Sequence, residues 1–159
     1  MRIVIASDHA AIGFRRELAD AVRALGHDVT DLGTNDPDRA DYPYFGQQAA
    51  EAVAAGRFDR GILICGSGVG ISIAANKTHG IRCVVCSEPY SAVLSRNHND
   101  TNMLALGARV IGVELGKMIT AMWLEAEFEG GRHQRRVNQL GAIDDGIEVE
   151  DQVDPGSRC

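Results

Sequence analysis

Two rhythms of apolar and polar positions run through the chain. Short segments rich in Val, Ile and Leu occur at residues 2–6, 28–32, 61–64, 81–86 and 103–112. Between them, apolar residues recur every three or four positions: Phe14, Leu18, Val22 and Leu25 in one stretch, and Leu115, Met118, Ile119, Met122 and Ala126 in another. The first rhythm predicts buried strands and the second predicts helices with one apolar stripe. Further helices are expected over 44–55, which is alanine-rich, over 71–77, and over 90–96 behind Pro89, a residue suited to a first turn. Gly26 and Gly56 close two of these helices, Gly130-Gly131 breaks a third, and residues 132–143 predict a last helical turn or two.

Five strands alternating with helices predict a three-layer α/β/α, Rossmann-like fold with a five-stranded, mainly parallel sheet. Ligands of such sheets meet the strand carboxyl ends at a switch in strand order. Asp8 follows the first strand and Cys65 follows the third. Both would serve one site if those strands were neighbours, so an order beginning 2-1-3 is expected.

Composition narrows this further. With 159 residues and 45% apolar content the chain predicts one domain over 1–143, large enough to fold without staples. Residues 144–159 hold six acids against one base and are expected to form a flexible acidic tail. The rest is nearly neutral, which argues against nucleic acid and anionic membranes as partners. No apolar run approaches the roughly 20 residues of a membrane span, and Met1-Arg2-Ile3-Val4-Ile5 leads straight into a strand and not a signal peptide, so a cytoplasmic protein is expected. Cysteines at 65, 83, 86 and 159 form no disulfide framework. Cys83 and Cys86 match C-x-x-C, but strand alternation would send their sulfurs to opposite faces, which suits neither redox chemistry nor zinc.

The most informative stretch runs from Gly61 to Lys77. An apolar strand is followed by glycines at 66, 68 and 70 and then by a helix. Glycines let backbone N–H groups crowd around one point, where negative charge is stabilised. No Gly-Lys-Ser/Thr follows, so this is no P-loop, and Ile71 occupies the third-glycine place of a dinucleotide fingerprint. Cys65 stands beside those donors, where a thiolate would be favoured. A base next to an anion hole suits enolisation, although a small buried thiol on a tight turn accounts for the same residues.

Asp8 and His9 offer a carboxylate and an imidazole for proton traffic, or a helix cap and a surface ring. Residues 97–102 form a polar run around His98, expected as a loop. That loop would lie at the amino end of the sheet, away from Cys65. For His98 to join such a site, its helix must project past the sheet or, more simply, a second subunit must supply it, and a homodimer with shared sites is expected. Arg132, Arg135 and Arg136 suit either a phosphate clamp or a solvated basic face.

Taken with Ser7-Asp8-His9, Asp41-Tyr42-Pro43, Cys65 to Gly70, Cys86-Ser87-Glu88-Pro89-Tyr90, Arg96 to Asn102 and Gly130-Gly131-Arg132-His133-Gln134, the chain resembles ribose-5-phosphate isomerase type B, in its cysteine-base branch. The resemblance covers residues 1–143. It implies a metal-free and cofactor-free aldose–ketose isomerase that interconverts ribose 5-phosphate and ribulose 5-phosphate through a cis-enediolate. It also implies roles: Cys65 as base, Ser67 in the proton shuttle, and the amides of Gly66, Gly68, Val69 and Gly70 on the enediolate. His98 with Asp8 would open the furanose, Tyr42 and Asn99 would bind the sugar, and His9, Arg109, Arg132 and Arg136 would hold the phosphate. The implied assembly is a homodimer, or a tetramer, with active sites shared between subunits. In the other branch a glutamate replaces the cysteine four places on, where this chain has Val69. The same chemistry on a four-carbon or six-carbon sugar phosphate stays open, as does a non-catalytic sugar-phosphate binder.

Overall fold

The computed structural model describes residues 1–150. Strand β1 (Arg2–Ser7) passes through a single 3-10 turn (His9–Ala11) into α1 (Ile12–Ala24); β2 (Asp28–Asp31), α2 (Tyr42–Ala54), β3 (Arg60–Cys65), α3 (Val69–Ala75), β4 (Cys83–Val85), α4 (Pro89–Asn99), β5 (Met103–Gly107), α5 (Val113–Glu125) and α6 (Arg132–Asp144) follow. The five strands form one sheet in the order β2-β1-β3-β5-β4, and every pairing is parallel. The expected start of that order, 2-1-3, is what the sheet shows, and the three-layer reading holds.

Alternation along each strand divides the core in two. Ile3, Ile5, Ile62, Ile64, Leu104 and Leu106 face one cluster, which α1 and α5 close with Leu18, Val22, Ile119 and Trp123. Val4, Ala6, Leu63, Cys65, Met103 and Ala105 face the other, closed by α2 and α3 with Ala49, Ala50, Val53, Ile71 and Ala75. Burying each larger aliphatic side chain contributes roughly 1.5–3 kcal/mol, and the central strands are apolar on both faces because both are covered. Cys83 packs against the second cluster and Cys86 lies in the first, so the two thiols do sit on opposite sides of the sheet. Burial pushes the Cys83 thiol up to about 12 and that of Cys86 up to about 11, which keeps both protonated near neutral pH.

Among the described residues, one cation lies fully inside. Arg15 of α1 is 0% exposed. Its guanidinium donates to the Asp31 carboxylate (3.0 Å), the Ser7 hydroxyl (2.8 Å), the Thr34 carbonyl (2.7 Å) and Asn35 Oδ1 (2.9 Å). A charge so buried is tolerated only because these acceptors replace its water. The result ties the carboxyl ends of β1 and β2 to the loop that leads to Tyr42.

Several boundaries differ from the sequence expectation. Strand β5 ends at Gly107, where a Cβ would lie 2.7 Å from the Ser67 backbone, so Arg109 belongs to the turn after the strand and not to the strand itself. Helix α4 continues through residues 97–99 and stops at Asp100, whose φ of 47° is left-handed; His98 and Asn99 are therefore on a helix and not in a loop. The rest of the polar run holds the structure together. Asp100 pairs with Arg82 and Arg96, the Thr101 hydroxyl accepts the Trp123 indole N–H, and Asn102 bonds the Gly80 carbonyl. Helix α6 is a full 13 residues. A tail beginning at residue 144 cuts through its last turn, because Asp144 binds the Gly80 amide (2.9 Å) and Asp145 lies 2.8 Å from His79 Nε2. Residues 151–159, the remainder of the expected tail, fall outside the described residues.

Candidate active site

Strands β1, β3 and β5 are adjacent and parallel, so their carboxyl ends open onto one rim. A cavity of about 520 Å³ lies there. Asp8 lines it from the end of β1, Tyr42 from the start of α2, Arg109 and Val110 from the turn after β5, and Cys65, Gly66, Ser67, Val69 and Gly70 from the β3–α3 loop.

Cys65 is the last residue of β3 and is 4% exposed. Its Sγ accepts the Gly68 N–H at 3.2 Å. Gly68 has φ +78°, and a Cβ there would lie 2.8 Å from the Leu106 carbonyl carbon. Conformation and space both demand glycine, and the bend they permit turns the amide towards the sulfur. The Ser67 hydroxyl is exposed and accepts the Val69 N–H at 3.3 Å. Two further bonds lace the β5–α5 turn to this loop: the Ala108 N–H to the Cys65 carbonyl (2.9 Å) and the Arg109 N–H to the Gly66 carbonyl (3.0 Å). They hold a cationic side chain on the same rim as the thiol.

Asp8 is the cap that one of its readings expects, and it also faces the cavity. Its carboxylate accepts the Ala10 N–H at 3.0 Å as a cap of the 3-10 turn, and the residue lines the cavity. His9 accepts the Ala40 N–H on Nδ1 at 3.1 Å, which pins the ring to the loop that Arg15 holds.

The other expected site residues are elsewhere in the chain. Among the described residues, His98, Asn99, Arg132 and Arg136 do not line the Cys65 cavity. The end of α4 leads to Asn102, whose carbonyl accepts the Gly61 N–H at the amino end of β3. This is the opposite end of the sheet from Cys65, as the topology predicted. Asn99 lines a separate cleft of about 380 Å³ with Arg82, Cys83, Leu140 and Ile143.

His98 stacks on His133 of α6, with ring centroids 4.1 Å apart and planes within 4°. Glu129 Oε2 lies 3.9 Å from His98 Nε2 and 3.8 Å from His133 Nε2. These three side chains carry metal-ligand atoms within 4.8 Å of one another. The geometry does not suit an ion, because imidazole lone pairs lie in the ring planes and parallel planes share no point. In addition, Arg132 Nε–H already donates to His133 Nε2 at 3.3 Å. Burial of the His133 ring, followed by the charges of His98 and Arg132, lowers its pKa below the ordinary histidine value. The sequence reading gave His133 no role and did not single out Glu129. The signal available was their i,i+4 spacing around Gly130-Gly131.

Exposed apolar side chains gather near the outer edge of the sheet: Val69 and Ile73 on α3, Val85 on edge strand β4, and Tyr90 at the start of α4. Among the described residues no helix is long and apolar enough to cross a membrane.

Comparison with known proteins places this geometry in context. Residues 3–140 match the family model described as Ribose/Galactose Isomerase. The chain is 56% identical over 143 residues to ribose-5-phosphate isomerase B of Escherichia coli, an alignment covering 90% of this chain and 96% of that protein. It is 43% identical over 143 residues to the D-erythrulose-4-phosphate isomerase of Pectobacterium atrosepticum, covering 89% of this chain and 93% of the relative. The structure of Clostridium thermocellum ribose-5-phosphate isomerase B superposes with a TM-score of 0.90 at 52% identity, covering 92% of this chain and 99% of that one.

Proposed function

Because the chain belongs to the ribose/galactose isomerase family, whose relatives here are sugar-phosphate isomerases, we propose that it interconverts ribose 5-phosphate and ribulose 5-phosphate with Cys65 as the base. The observation that carries this reading is the Cys65 sulfur at the mouth of a glycine loop, in one cavity with Asp8 and Arg109.

The Cys65 thiolate takes the proton from C2 of the open-chain aldose. The C2–H electron pair becomes the C1–C2 double bond, and the carbonyl pair moves to O1 to give a cis-enediolate. Amides of the 66–70 loop stabilise the developing oxyanion, Ser67 passes a proton between O1 and O2, and the thiol returns its proton to C1. Removing one preorganised donor from such a hole costs roughly 2.7–4 kcal/mol, and general-base catalysis contributes a further ~10²–10⁴-fold. Both terms come from residues 65–70.

Ring opening and the phosphate clamp need groups from the other end of the sheet. A second copy of the chain, packed against the apolar face of α3 and β4, would supply His98, Asn99, Arg132 and Arg136 to this cavity, while Asp8, His9, Tyr42 and Arg109 act in place. The assembly is then a homodimer with shared sites.

Two measurements test the reading. Cys65→Ala should lose turnover while still binding sugar phosphate in calorimetry; retained turnover removes the cysteine base. A kcat/KM panel over four-, five- and six-carbon aldose and ketose phosphates should peak at ribose 5-phosphate. A peak at erythrulose 4-phosphate would move the substrate and keep the mechanism, the alternative favoured by the 43% identical Pectobacterium relative.

A further inference from the structure

The His98–His133 stack is more elaborate than a lone ring-opening histidine requires. His98 is on the last turn of α4 and His133 on the first turn of α6, and between them the chain makes a deliberate return. The Glu129 N–H donates to the Asn97 carbonyl (3.0 Å), and the Asn97 side-chain amide donates to Glu129 Oε1 (3.2 Å). Gly130 and Gly131 then take positive φ values of 64° and 55°, which turn the chain so that α6 begins with His133 against His98. Glu129 is thus fixed to α4 twice, which leaves its second carboxylate oxygen almost equidistant from the two Nε2 atoms.

The charged groups facing this pair are few. Glu129 supplies the negative charge; Arg132 and Arg136 of α6 add positive charge on the His133 side. Two imidazolium ions in contact repel, so the stack holds one proton comfortably and two poorly. His133 is buried, whereas His98 is partly open to solvent. Of the two rings, His98 is the one open to a substrate.

From this arrangement we propose that His133 and Glu129 are positioning residues for ring opening, holding His98 flat and keeping its Nε2 able to both accept and donate one proton. The proposal rests on the reading that His98 opens the furanose. In that step the anomeric O1–H proton leaves, the C1–O4 bond breaks, C1=O1 forms and O4 gains a proton. Nothing is consumed, and one group that gives and takes a proton is sufficient. Stacking fixes the ring plane, and the Glu129 carboxylate, 3.9 Å from His98 Nε2 and 3.8 Å from His133 Nε2, stabilises positive charge on the pair.

Ribulose 5-phosphate provides the discriminating substrate. Its O5 is esterified, so it cannot close a furanose, and exchange of its C1 hydrogen with solvent needs only the Cys65 step. His133→Phe and Glu129→Gln should lower kcat/KM for ribose 5-phosphate at least tenfold while leaving deuterium exchange into ribulose 5-phosphate within about twofold. Glu129 is exposed, so its variant keeps the fold even if His133→Phe does not. Equal loss in both reactions, or no loss in either, overturns the proposal. Failure of the underlying isomerase reading looks different: the unaltered enzyme would turn over neither substrate, or Cys65→Ala would retain exchange.

Discussion

The ring of Tyr42 lies directly over Gly70: a Cβ built on that glycine would sit 2.6 Å from Tyr42 Cζ and 3.0 Å from its hydroxyl oxygen. Tyr42 opens α2 and Gly70 is in the first turn of α3, so this contact sets the width of the cavity above Cys65. Gly70→Ala must push the phenol aside. We expect kcat/KM to fall about 10–100-fold, mainly through KM, with stability changed by about 1 kcal/mol because Tyr42 is exposed and can move. Steady-state kinetics alongside thermal unfolding checks both parts.

The proposed sharing of sites between subunits predicts complementation. Cys65→Ala chains and His98→Ala chains should each be nearly inactive alone. Mixed after denaturation and refolded together, they form heterodimers in which one site of two carries both native residues. Activity should recover to about a quarter of the unaltered enzyme for random pairing; absence of any recovery would place both groups in one subunit's site.

Arg15 gives a prediction about stability with a functional echo. Replacing it by Met removes the charge and leaves the Asp31 carboxylate, the Ser7 hydroxyl and the Thr34 carbonyl without their donor. Breaking a buried network from one side costs roughly 3–5 kcal/mol. Chemical denaturation should show that loss, and hydrogen exchange should rise in residues 33–41, the segment Arg15 holds beside His9 and Tyr42.

Two histidines give α6 opposite pH dependences. His79 is held above its ordinary value by its hydrogen bond to Asp145, just past the end of α6. Its contribution is complete below the unfolded value near 6.5 and is lost as pH rises through the folded value. His133 is held below its ordinary value, so it costs nothing above about 6.5 and destabilises the fold as pH falls from there towards the folded value. The Tm difference between the unaltered protein and His79→Ala should therefore shrink from pH 5.5 to pH 8.5. His133→Phe should gain on the unaltered protein as pH falls from 6.5.

What the sequence determined by itself is whatever depends on near neighbours in the chain. The two periodicities gave the strands and most helices, since a buried strand and a striped helix are each specified within about ten residues. The β3–α3 loop was legible because its chemistry is contiguous: the thiol, the hydroxyl and the glycines all lie between residues 65 and 70. Topology added Asp8, because the 2-1-3 order brings two strand ends together. The tertiary structure decided what rests on distant partners. Arg15 is held by Ser7, Asp31, Thr34 and Asn35, which converge on it from three segments of the chain. The largely polar sequence of α6 predicts only a turn or two, yet the helix is held by Asp144 on Gly80 and by the ring of His133 on His98. His98 and His133 stand 35 positions apart, and no local pattern encodes a stack that depends on a two-glycine return and the packing of α4 against α6. Burial and charge placement arise from the summed geometry of the fold, and those sums do not exist until the chain has closed.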